Sequence, residues 1–127
     1  MAKRNIPIIA QHPNLSYNKN IMTEMIRDLM LELKNALAEV YGNCLKGVYL
    51  YGSYARGDQD DESDVDVMVV LDHFDNYGAE IKRTSELGST LSLKYGVTIS
   101  RIFLRECEWL KGDTPLLRNV REEAILA

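Results

Sequence analysis

Apolar side chains recur at intervals of three and four between Lys19 and Tyr41: Ile21, Met22, Met25, Ile26, Leu29, Met30, Leu33, Ala36, Leu37 and Val40. That spacing predicts one long amphipathic helix with a broad buried stripe, and Gly42-Asn43 supplies its stop. The period then changes. Gly47–Tyr51 is rich in β-branched and aromatic residues and ends at Gly52, which predicts a strand. Val65–Leu71 is almost continuously apolar at its far end, the pattern of a strand central in a sheet. After a turn at Asp75-Asn76, the residues Tyr77, Ile81, Thr84, Leu87, Leu91 and Tyr95 predict a helix over Tyr77–Tyr95, closed by Gly96. Val97–Leu104 predicts a third strand and Arg105–Leu110 a short helical piece. Asp113-Thr114-Pro115 sets a capping side chain before a first-turn proline and so predicts a terminal helix over Leu116–Leu126. Residues 1–16, interrupted by Pro7 and Pro13, read as an arm, with 17–127 as the folded domain. The order α-β-β-α-β-α belongs to an α+β or α/β two-layer architecture.

Composition narrows the class. A chain of 127 residues, 46% hydrophobic and 27% charged, is one ordinary domain rather than a disordered or fibrous chain. At that size it buries roughly two-thirds of its unfolded surface. A net charge of −4 argues against a general nucleic-acid-coating protein, whose affinity comes from clustered Lys and Arg. No apolar run reaches the ~18 residues of a membrane span. The apolar stretch near the N-terminus is too short for a signal peptide, so a cytoplasmic location is expected. Cys44 and Cys107 have no metal-ligand spacing and read as reduced thiols. His12 and His73 read as surface residues, and Trp109 as packing on the sheet.

The chemistry concentrates between residues 52 and 66. Gly52-Ser53 directly after a strand lets the backbone turn closely, leaving N–H groups and a hydroxyl aimed at one spot. A helix beginning at Ser53 would add the positive end of its dipole, which suits phosphate. Asp64 and Asp66 are two apart at the start of the next strand, so both carboxylates project from one face. Such a pair suits Mg²⁺, which takes oxygen ligands and binds together with substrate phosphates. A phosphate cradle beside metal-holding carboxylates is equipment for phosphoryl or nucleotidyl transfer. Competing motifs fail on spacing. Asp58-Gln59 stands where a P-loop needs Lys and Ser/Thr, and an EF-hand starting at Asp58 would put Ser63 at its glycine and Val69 at its bidentate Glu.

Gly52-Ser53, ten intervening residues and Asp64-Val65-Asp66 resemble the signature of the polymerase-β-like nucleotidyltransferase superfamily. The fuller string GSYARG…SDVDVMVV is similar to its minimal nucleotidyltransferase branch, and the closing TPLLRNVREEAI is similar to the tail of standalone members. The resemblance implies that fold: a short mixed sheet packed by helices on one side. It implies ATP or another NTP as substrate, its β/γ phosphates held by Gly52 and Ser53, and catalytic Asp64 and Asp66 binding Mg²⁺. Arg56 matches the family's Arg and either sits near the phosphates or pairs with the acidic loop. It further implies AMP transfer to a tyrosine hydroxyl of a paired HEPN-family helical toxin, the chain acting as antitoxin.

One family feature is missing. Active members usually carry a third carboxylate on a neighbouring strand, and Val97–Leu104 contains neither Asp nor Glu. Thr98 and Ser100 take the facing positions, while Glu106 lies beyond the strand and would have to reach back. Loss of general-base help is often worth about 10²–10⁴-fold. Two alternatives therefore stand beside the enzyme: an inactive module of the same fold that neutralises its partner by binding, and the catalytic subunit of a two-protein aminoglycoside-type transferase. The charge distribution adds a last point. Residues 58–66 hold six of the 19 acids and no Lys or Arg, leaving 13 acids against 15 bases elsewhere. The negative excess is thus local, as a cation site requires.

Overall fold

The computed structural model describes residues 23–127. The expected arm at 1–16, His12 and the helical positions at 19–22 lie outside the described residues. Helix α1 (Glu24–Tyr41) starts where the Thr23 hydroxyl oxygen accepts a 3.2 Å hydrogen bond from the Ile26 amide. Ile26, Leu29, Met30, Leu33 and Leu37 form its buried face, whereas Met25 and Val40, counted in the sequence stripe, are exposed. Gly42, at φ 55°, ends the helix and opens a single 3₁₀ turn that leads into β1 (Leu45–Tyr51). A one-turn helix, α2 (Ser53–Arg56), follows at once. Strand β2 (Val65–Leu71) has the expected bounds.

The helix expected over Tyr77–Tyr95 is two helices, α3 (Tyr77–Arg83) and α4 (Ser85–Tyr95), broken at Thr84. The break has a long-range cause. Arg101, on strand β3 (Ile99–Arg105), donates from Nη2 to the Ile81 carbonyl at 3.1 Å and from Nε to the Thr84 hydroxyl at 2.9 Å. The Thr84 hydroxyl in turn donates to the Glu80 carbonyl at 3.0 Å. Gly88 leaves room for this guanidinium, since a Cβ there would sit 2.7 Å from Arg101 Nη1.

Helix α5 (Glu106–Lys111) and helix α6 (Pro115–Glu123) complete the helical set. As its Thr-Pro start predicts, α6 has Pro115 in its first turn and the Thr114 hydroxyl accepting from the Leu117 amide. Its end differs from the expectation. The helix stops at Glu123 rather than Leu126, Ala124 turns extended, and Ile125–Leu126 form a two-residue strand, β4, antiparallel to β1.

Among the described residues the sheet order is β3-β2-β1-β4, with β1/β2 antiparallel and β2/β3 parallel. This is the expected α+β fold with a mixed sheet and β2 in its interior. One detail is corrected: helices cover both faces. Val48, Leu50, Val65, Val67, Val69, Leu71, Ile99 and Phe103 pack against α1 and Leu91 of α4. On the opposite face Met68 and Val70 meet Leu117 and Val120 of α6, and the rings of Tyr49 and Trp109 lie 4.9 Å apart. A strand apolar at every position from Val67 to Leu71 exposes apolar surface on both sides and requires both layers. No helix among the described residues is long and apolar enough to cross a membrane.

Replacing Thr84 with Val keeps the buried shape and strands the Arg101 Nε–H. The expected loss is about 1–3 kcal/mol, read as a fall in unfolding free energy in urea.

Candidate functional site

The site is built at one end of the sheet, where β1 stops and α2 begins. Gly52 sits between them, buried, at φ 79° and ψ −157°. Two constraints require glycine here: the positive φ, and the Asp66 carboxylate, whose Oδ2 a Cβ would overlap. The Gly52 carbonyl accepts from the amides of Ala55 and Arg56 at 3.0 Å, and Gly57, at φ 83°, closes the turn. Buried Ala55 pins α2 to the main core.

Sheet register brings in the first carboxylate. Asp66 on β2 is opposite Tyr51 on β1 and Ser100 on β3. Its carboxyl pKa is raised, first by burial and then by the like charge of Asp64, while Arg56 opposes the shift. The same crowding pushes the Tyr51 hydroxyl up to about 12, burial acting first and the Asp66 charge second. Tyr51, Gly52, Ser53, Arg56 and Asp66 line a cavity of about 380 Å³, whose far wall is α6. Asp64 is exposed and lines a neighbouring cavity of about 470 Å³ together with Tyr54 and the acidic loop. The five residues singled out by the motif therefore gather at one end of the sheet, four of them around one cavity.

Arg56 pairs with Asp58 of the acidic loop at 3.2 Å, one of its two expected arrangements. It also pairs with a residue the sequence reading missed. Glu123, the last residue of α6, accepts from Arg56 Nη1 at 3.1 Å through Oε1 and from the Gly52 amide at 2.7 Å through Oε2. It stands 71 positions from Gly52 in the chain. The usable signal was helical: Leu116, Asn119 and Glu123 fall on one face of the terminal helix, beside the buried Leu117 and Val120. Glu106 does not reach the site. It follows Arg105, which pairs with Leu71 at the opposite end of β2 from Asp66. Ser100 occupies the strand position beside Asp66, and among the described residues no three acidic, His or Cys side chains form a metal-holding group. Two carboxylates that repel each other fit Mg²⁺ in the form it usually takes, with substrate oxygens completing its shell.

Residues 30–126 match the family model described as a nucleotidyltransferase domain. The chain belongs to this nucleotidyltransferase family. A Methanocaldococcus jannaschii protein named "putative protein adenylyltransferase" is 40% identical over 95 residues, covering 72% of this chain and 87% of that one. A second protein of that name from the same organism is 36% identical over 81 residues, covering 64% and 81%. A solved Sulfolobus solfataricus structure, described as a "putative nucleotidyltransferase", shares the fold at a TM-score of 0.52 and 23% identity, covering 89% of this chain and 90% of that one. A toxin–antitoxin structure with AMP-PNP shares it at 0.53 and 21%, covering 75% and 69%. The nucleotidyltransferase assignment thus rests on the sequence family, and the two solved structures carry the fold.

Gly52→Ala should cost roughly 1–3 kcal/mol from backbone strain alone. It should also push Asp66 out of register with the turn. Thermal unfolding measures the first effect, and loss of nucleotide binding in the still-folded fraction measures the second.

Proposed function

We propose that this nucleotidyltransferase is a protein adenylyltransferase, moving AMP from ATP to a hydroxyl of a partner protein. The oxygen–phosphorus bond forms at the α-phosphate, pyrophosphate leaves, and the hydroxyl proton passes to solvent. The observation that carries this reading is the cavity in which Gly52, Ser53 and Asp66 converge, with Asp64 beside it. Asp64 and Asp66 would hold Mg²⁺, which supplies charge neutralisation for the phosphates when bound. The Gly52 amide, the Ser53 hydroxyl and Arg56 are donors for phosphate oxygens, and the position of Ser53 at the turn fixes their spacing. Tyr51, half-buried opposite Asp66, lines the same cavity.

The acceptor is read as a tyrosine of a HEPN-family helical toxin, with this chain as its antitoxin in the cytoplasm. The supporting facts are the names of the curated relatives and the toxin–antitoxin neighbour crystallised with AMP-PNP. A second reading, partner neutralisation by binding without catalysis, is favoured by Ser100 in place of a third carboxylate beside Asp66.

The test is incubation of the chain with α-labelled ATP, Mg²⁺ and a candidate helical toxin. Label should appear on toxin tyrosine, and Asp64→Asn or Asp66→Asn should reduce it by at least about 10²-fold. Chelation with EDTA should abolish it. Tight toxin binding without labelled product would favour the binding module instead.

A further inference from the structure

Glu123 occupies the donors that the proposed nucleotide reading needs. Its carboxylate takes the Gly52 amide at 2.7 Å and Arg56 Nη1 at 3.1 Å, and its side chain is only 17% exposed. Carboxylate and phosphate oxygens are both acceptors that prefer charge-assisted partners, so the two compete for one N–H and one guanidinium edge. Both Glu123 oxygens are already bound to nitrogen donors, which leaves this carboxylate badly placed as a third cation ligand.

The backbone around Glu123 suits a displaceable group. It is the final residue of α6, and Ala124 is already extended. Beyond it β4 is two residues long, tied by its pairing to β1, by the Ala127 amide to the Val48 carbonyl and by Lys34 to the Ala127 carbonyl. Those ties hold the main chain, so that displacing the carboxylate requires breaking its two hydrogen bonds and rotating the side chain alone.

We infer that Glu123 is an internal stand-in for phosphate, holding Gly52 and Arg56 in place in the free protein and displaced by the phosphate chain of an arriving nucleotide. The inference rests on the nucleotide reading of the same cavity. It gives the buried Gly52 amide a partner when no nucleotide is bound, and it couples the end of α6 to site occupancy.

The experiment is calorimetric titration of the whole chain and of Glu123→Gln with AMP-PNP and Mg²⁺. The variant keeps the side-chain shape and loses the competing charge, so it should bind about tenfold more tightly. In parallel, the backbone amide resonances of wild-type Gly52 and of 123–127 should shift on saturation, a readout that does not depend on the variant folding. Equal or weaker binding by Glu123→Gln, or unmoved 123–127 resonances in a saturated wild type, overturns the stand-in while the nucleotide site survives. Absence of binding by both proteins overturns the nucleotide reading, and the stand-in with it.

Discussion

The close approach of Gly52 to Asp66 governs the functional end of this molecule. It exists because β1 and β2 are antiparallel with Tyr51 opposite Asp66, so the residue after Tyr51 turns directly over the carboxylate. No side chain fits between them, and the positive φ at Gly52 sends the chain into α2 in the one direction that keeps Ser53 and Arg56 over the same cavity. Shifting the register by one residue would turn Asp66 into the core and bring Val65 or Val67 to the cavity. The apolar side chains of Val65, Val67 and Val69, all fully buried against α1, set that register. The hydrophobic core thereby positions the polar site.

A half-buried carboxylate beside a second carboxylate is an electrostatic cost. Arg56 offsets part of it from the cavity wall, and the rise in the Asp66 pKa is the part left over. Six acids crowd residues 58–66, and only Asp58 among them makes an ion pair among the described residues. The loop organises itself by hydrogen bonds instead: the Ser63 hydroxyl accepts from the Asp60 amide and donates to Asp60 Oδ1, which also takes the Glu62 amide. Loop shape is thus maintained without neutralising Asp64 or Asp66, and their charge remains available to a cation.

What the sequence made legible was local. Strand β2 and the starts and stops at Gly42, Gly96 and Thr114-Pro115 follow from periodicity and capping, which act over a few residues. Gly52, Ser53, Arg56, Asp64 and Asp66 were visible because they share one turn and one strand start. The larger misses involve partners far apart in the chain. The helix break at Thr84 is imposed by Arg101 from β3, the end of α6 by pairing of Ile125–Leu126 with β1, and the second packed face by Leu117 and Val120. Glu123 belongs to the same group. Its helical face separates it from Glu122, but only docking of α6 onto Met68 and Val70 brings that face to Gly52.

That docking also explains why a cavity is present at all. Helix α6 covers the sheet face at Met68 and Val70, two and four residues along β2 from Asp66, and then ends. Had it continued to Leu126, as its sequence pattern suggests, Ile125 and Leu126 could not pair with Leu50 and Tyr49. Strand β1 would then present an open edge next to the site. Ending at Glu123 protects that edge with β4 and leaves Leu116, Asn119 and Glu123 as a wall rather than a lid. The same termination therefore protects the edge of the sheet, opens the cavity and delivers a carboxylate to the Gly52 amide.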